Sequence, residues 1–229
     1  MIGVKAEPRP RSNVIYVMGI DGSGKSTVCE FLEEHYASNG FSVKSVWLRF
    51  NHFFSKPLLA FGRISGLTEY KNVDGIRVGY HHFHRSKIVS QLFFWLQYLD
   101  ARRARRVHIE PNMAKDDQVL ILDRFVYDIL IDVALDIDNP EIIKEDLARK
   151  FVDLLPENTI VIPVFRDRQA LLDARPESTV DTHFEQRLDL YEAIVKHEKL
   201  PVLDNNGSIE ELKQKALEFV RSLETSHEA

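Results

Sequence analysis

Gly19-Ile20-Asp21-Gly22-Ser23-Gly24-Lys25-Ser26-Thr27 carries glycines, a lysine and hydroxyls at the spacing G-x-x-x-x-G-K-[ST], and the chemistry of that spacing is the cradling of phosphate. Glycines let successive backbone N–H groups turn toward an anion, and a helix starting at once behind them adds the positive end of its dipole. Gly19, Gly22, Ser23, Gly24, Lys25, Ser26 and Thr27 are therefore the candidate nucleotide-binding residues, with ATP as the expected ligand. Lys25 is expected to bridge the β- and γ-phosphates and the Ser26 hydroxyl to sit on Mg²⁺. A second acid suits the same chemistry. Asp123 closes the apolar run Val119-Leu120-Ile121-Leu122, where a carboxylate beside a phosphate loop acts on Mg²⁺ directly or through water. The alternative is that Asp123 caps the segment beginning at Phe125. Arg49 ends another strand, at the sheet edge where open α/β folds place ligands.

The elements that must hold these residues follow from hydrophobic periodicity. Residues 13–18 read as a short buried strand before the loop, and Val28, Phe31, Leu32 and His35 recur at helical spacing after it. Residues 41–49 alternate as a strand, and 118–124, 159–165 and 201–204 read as three more, with Pro163 predicting an irregularity in the 159–165 strand. Helices are predicted at 86–111, 125–135, 140–154, 168–174 and 184–199. Ser208 with Glu211 forms a capping box opening the last one. Residues 53–84, broken by Pro57, Gly62, Gly66, Gly75 and Gly79, read as a helix, a loop and the start of another helix. Strands alternating with helices define a single α/β domain with a parallel, doubly wound sheet. A polar tail over 1–12 precedes that domain, which spans 13–229.

Composition narrows the partners. A net charge of −5 disfavours wholesale nucleic-acid binding, and no apolar run is long enough to span a bilayer. The single Cys29 excludes an internal disulfide and suits a reducing, cytoplasmic compartment. His81, His82 and His84 are too close together for a helical i, i+4 metal pair.

The loop at 19–27 together with Asp123-Arg124-Phe125 resembles the thymidylate kinase family, which joins a similar P-loop to an Asp-Arg-aromatic motif at a strand end. The resemblance implies a P-loop kinase three-layer sandwich, a five-stranded parallel sheet with helices on both faces. It also implies an acceptor-binding region at about 50–87, longer than the family's, and a lid at about 166–183. The activity implied is transfer of the ATP γ-phosphoryl group to a pyrimidine deoxynucleotide, dTMP first, by a protein whose partners are small nucleotides and a second copy of itself, neither nucleic acid nor membrane. On this resemblance Asp21 contacts the acceptor sugar, Arg124 orients phosphate, Phe125 flanks the acceptor base and Arg102, on a long helix, holds the acceptor. Asn205 falls in the loop that packs on adenine. Some members carry an arginine where this chain has Gly22. The catalytic charge is then expected from the lid, Arg175 first, with Arg166 and Arg168 behind it. The chain departs from the family after residues 41–49, where Trp47-Leu48-Arg49-Phe50-Asn51 keeps only an arginine of a Thr-Arg-Glu-Pro-Gly-type segment. Asp128 stands where many members have serine, suited to accept hydrogen bonds from an acceptor's sugar or base. A kinase of another small acceptor and a non-catalytic ATP-binding regulator are the competing readings. The lack of an Asn-Lys-x-Asp motif argues against a GTPase.

Overall fold

Val14–Met18 (β1) is buried along its whole length and forms the centre of the sheet. The computed structural model describes residues 13–73, 76–113 and 117–226, so the tail expected at 1–12 lies outside the described residues. On one side β1 pairs with Gln118–Asp123 (β5), and on the other with Ile160–Phe165 (β6). Ser42–Trp47 (β2) lies beyond β5 and Leu203–Asp204 (β7) beyond β6, giving the order β2-β5-β1-β6-β7 with every pairing parallel.

The two-residue period of β1 divides the core. Ile15 and Val17 face Val28, Leu32, Leu212 and Ala216 of the helices Lys25–Ser38 (α1) and Ile209–Ser226 (α9). Val14, Tyr16 and Met18 face the opposite layer, built from Lys87–Ala104 (α3), Val126–Asp136 (α5) and Phe184–Glu198 (α8). Side chains that alternate across a strand require cover on both faces. The result is the three-layer α/β sandwich that the sequence implies. Among the described residues no helix is long and apolar enough to cross a membrane.

Four elements differ from the sequence-based expectations. After Lys56–Ile64 (α2) the chain forms an antiparallel hairpin, Thr68–Val73 (β3) with Ile76–His81 (β4), where a loop and a helix start were expected. The sequence puts Asp-Gly between the paired residues Val73 and Ile76, the dipeptide favoured in two-residue hairpin connections. The long helix expected over 86–111 stops at Ala104. Residues Arg105–Ile109 widen into a π turn before Glu110–Met113 (α4). Pro111 has no N–H and its ring clashes with the carbonyl four residues back, so an uninterrupted α-helix cannot contain it. The stretch expected as one helix over 140–154 is a 3₁₀ turn, Pro140–Lys144, followed by Asp146–Val152 (α6). Pro163 causes no irregularity. β7 pairs with β6 only from Val164 onward, so Pro163 lies where that flank is an edge and no donor is missed.

The expected capping box is present, with Ser208 N donating to Glu211 Oε2 at 3.0 Å and Glu211 N to Ser208 Oγ at 3.2 Å. Phe125, expected beside the acceptor base, is completely buried and meets Tyr16 edge-on at 6.5 Å between ring centroids. Its place is the core beneath the loop, because the helix start turns its ring toward β1. Truncation, Phe125→Ala, is expected to lower stability by about 3–5 kcal/mol. Urea unfolding checks this; an unchanged midpoint with weakened acceptor binding would return Phe125 to the acceptor site.

Candidate active site

The phosphate loop is shaped by close approach. Gly19 has φ 148°, and a Cβ there would lie 2.5 Å from the Val164 carbonyl oxygen, so only glycine lets the loop leave β1 against β6. Asn205, on the far side of β7, donates Nδ2 to the Ser23 carbonyl at 2.7 Å, and a Cβ on Gly24 would collide with that amide. Asn205 thus braces the loop. Ser23 is buried, with its Oγ unpartnered against Gly19. Gly24 caps α1 without a side-chain hydrogen bond, which leaves first-turn N–H groups for an anion. Lys25 Nζ donates to the Ile20 carbonyl at 2.7 Å and lies 4.0 Å from Asp21. Burial, reinforced by Arg124, lowers its pKa to about 8 against the pull of Asp21, Asp128 and Asp123.

The loop opens on a cavity of about 620 Å³ lined by Lys25, Ser26, Thr27, Asp123, Arg124 and Asn205, among others. The β1–β5 register sets Asp123 level with Val17, one strand over from the loop. Its Oδ1 is buried with no hydrogen-bond partner, and burial raises its pKa despite Arg124 and Lys25. A buried carboxylate oxygen without a donor, beside a cavity that also holds the Ser26 hydroxyl, fits a divalent cation. Among the described residues no group of three or more His, Cys, Asp or Glu could hold a metal by itself. The remaining ligands of Mg²⁺ would therefore be phosphate and water, as is usual for that ion.

A second cavity, about 200 Å³, lies between α3, α5, α8 and the β3–β4 hairpin, with Tyr80, His81, Phe93, Asp132, Asp136 and Arg187 on its walls. Arg49 lines both cavities. Its guanidinium makes two 2.7 Å bonds to Asp132 and stands 3.6 Å from Asp21. Arg187 of α8 donates to the same Asp132 at 2.7 Å. Burial alone would raise the Asp132 pKa, but Arg49 and Arg187 outweigh it and hold the carboxyl below its usual range. Arg124 completes the chain of charges, bonded to Asp21 and 3.5 Å from Asp128. It adopts φ 65°, the left-handed region, where its N–H reaches the Val17 carbonyl.

Of the residues expected to bind the acceptor, Asp21 and Arg49 stand together between the cavities and the others do not. Arg102 is exposed on α3 and lines neither cavity, because α3 turns that face outward. Asp128 is 1% exposed and fully engaged: it accepts from Tyr16 Oη at 2.7 Å, Tyr191 Oη at 2.6 Å and Phe125 N at 3.2 Å. It buttresses the helix start rather than facing a ligand. Of the arginines expected in a lid, Arg175 lies over Gly22 and lines the first cavity, as does Arg166, whose Nη1 is 3.4 Å from the Gly22 carbonyl. Arg168, which opens the helix Arg168–Ala174 (α7), pairs with exposed Glu185 and lines neither cavity. The sequence reading assigns no role to Asp132, Asp136 or Arg187. The spacing Asp128, Asp132, Asp136 on one face of an apolar helix was the available signal.

No protein-family model matches this chain, and no curated protein matches it either.

The Arg49–Asp132–Arg187 triad gives a direct test. Asp132→Asn leaves two largely buried guanidiniums without their shared carboxylate and is expected to cost about 3–5 kcal/mol at pH 7. A depressed pKa contributes stability above the unfolded value of about 3.9 and loses it as pH falls through the folded value. The gap between the two proteins in urea unfolding should therefore narrow as the pH is lowered from 7 into that acid range. A gap independent of pH would exclude the ionised carboxylate as its source.

Proposed function

We propose that this chain is a P-loop nucleoside-monophosphate kinase of the thymidylate kinase type, acting in a reducing cytoplasm, where a buried free thiol such as Cys29 suits the redox conditions. The observation that carries the reading is the pair of cavities meeting at Arg49, one beneath a phosphate loop and the other walled by aromatic and polar side chains. ATP fits the first and an acceptor monophosphate the second, with the acceptor phosphate toward Arg49. An oxygen of that phosphate attacks the γ-phosphorus, the bond to the β–γ bridging oxygen breaks, and ADP leaves with its electron pair. Lys25 holds the transferring group, while Arg166 and Arg175 offer cations beside the loop. Arg49 and Arg124, held by Asp132, Asp21 and Asp128, receive the acceptor phosphate without having to reorganise. Mg²⁺, when bound by Ser26 and Asp123, would neutralise charge on the β- and γ-phosphates.

The second cavity is smaller than the ~300–1,000 Å³ of pockets for drug-sized ligands, which favours a single small ring over a purine. A kinase of a different small acceptor stands as the second reading. It is favoured by the absence of Phe125, Asp128 and Arg102 from the walls of that cavity, since these are residues the family resemblance would give to a deoxynucleotide.

ADP release measured with dTMP, dUMP, dCMP, dGMP and AMP tests the proposal. Stimulation by pyrimidine monophosphates is expected, with purines poor and dTMP over dUMP favoured by roughly 10–200-fold at most. Lys25→Ala should lower the stimulated rate by ~10²-fold or more. No stimulation by any of the five would contradict the nucleotide-kinase reading.

A further inference from the structure

Three acids lie on one face of α5 at four-residue intervals, and each has a different fate. Asp128 is saturated by two tyrosines and a backbone N–H, and Asp132 by two arginines. Asp136, on the last turn, lines the second cavity, and no hydrogen bond or ion pair engages its carboxyl among the described residues. It stands about 6 Å further along the helix than Asp132, at 1.5 Å per residue. Arg49 grips Asp132 on the side of the phosphate loop, so Asp136 addresses whatever part of an acceptor lies beyond its phosphate. The groups around it are polar but carry little positive charge. His81 and His183 line the same cavity with pKa values lowered chiefly by burial, to about 4 for His81, so both are neutral at pH 7. His52 is lowered in the same way, and Gln97 is buried on the facing α3. The charged groups nearby are Asp132 on its own helix, Asp181 ahead of α8, and the guanidiniums of Arg49 and Arg187, both committed to Asp132.

We infer that Asp136 is a specificity-determining residue of the acceptor site, its carboxyl group pairing with a ring edge that presents an N–H next to a C=O. This rests on the kinase reading and names the chemistry of its acceptor: a small lactam ring, such as a pyrimidine with an unsubstituted ring N–H. A carboxylic acid that keeps its proton offers one donor and one acceptor side by side, the complement of a lactam edge. An ionised carboxylate offers only acceptors and would repel the carbonyl. Burial, and then Asp132, push the Asp136 pKa well above the usual carboxylate range, and the negative end of the α5 dipole acts in the same direction. The neutral acid is the form this cavity favours.

The experiment compares wild type with Asp136→Ala and Asp136→Asn, measuring the KM for dTMP and for its N3-methyl analogue by ADP release. Urea unfolding of each variant accompanies the kinetics. Alanine removes both hydrogen bonds and should raise the KM for dTMP about ten- to a hundredfold. Asparagine restores a donor beside an acceptor and should bring KM back to within about threefold of wild type. N3-methylation should weaken the acceptor for wild type and for Asp136→Asn but make little difference to Asp136→Ala. An asparagine variant as poor as alanine, or an alanine variant with unchanged KM, overturns the inference while leaving acceptor-stimulated turnover, and with it the kinase reading, intact. If wild type shows no turnover with dTMP or any other monophosphate, the kinase reading itself fails and the inference falls with it. The three proteins should unfold at closely similar urea midpoints, since an acid at a helix C-terminus contributes no favourable dipole interaction.

Discussion

A guanidinium bonded twice to Asp132 and facing Asp21 at 3.6 Å ties the phosphate loop to the second cavity. Everything else at the site is arranged around the burial of that charge. Arg49 follows β2, and the next residue, Phe50, takes φ 60°, a left-handed conformation that a bulky side chain adopts only when its surroundings enforce it. The Arg49 guanidinium lies 4.6 Å from the centroid of the Phe50 ring, so the strained turn also gives the cation a π face. Arg124, at the end of β5, repeats the device at φ 65°. Two strand ends thus store backbone strain, at Arg124 itself and at the neighbour of Arg49, beside the two guanidiniums that face Asp21.

Such an arrangement is costly unless each charge has a partner, because desolvating an ion costs several kcal/mol even after relaxation. Here each buried cation has one. Arg49 and Arg187 share Asp132, and Arg124 takes Asp21 and approaches Asp128. Asp128 is in turn held by Tyr16 and Tyr191, whose hydroxyls are pushed to high pKa first by their own burial and then by that carboxylate, so both keep their protons and donate to it. For the phosphoryl transfer proposed above, the consequence is preorganisation. Cations already fixed by carboxylates need not rearrange when an anionic acceptor arrives.

How much of this the sequence carries depends on how local each feature is. The loop is legible because its spacing is the mechanism: Gly19, Gly24, Lys25 and Ser26 lie within eight residues. Asp123 is legible as the acid at the end of an apolar strand, and the sheet follows from four apolar runs and the alternating stretch 41–49. The β3–β4 hairpin was missed because Thr68-Glu69-Tyr70-Lys71-Asn72-Val73 has too few apolar residues to show a two-residue period, leaving only Asp-Gly as a cue. Its strand β4 nonetheless gives the second cavity Tyr80 and His81. Phe125 and Asp128 were misread for another reason. Which way they face is set by the start of α5 and by Tyr16 and Tyr191, the latter 63 residues from Asp128 and the former 112. The Asp132 pairings span 83 and 55 residues, and no local pattern encodes them.

The kinase proposal requires that the two cavities form one reaction site with Arg49 between them. A bisubstrate compound in which adenosine and thymidine are joined through a 5′,5′-pentaphosphate, titrated calorimetrically in the presence of Mg²⁺, tests it most directly. If both cavities are engaged at once, the second half binds as an intramolecular event, and the compound should bind at least about a hundredfold more tightly than ATP. Arg49→Met should remove most of that advantage while leaving ATP affinity nearly unchanged. A bisubstrate compound that binds no more tightly than ATP itself would contradict the account.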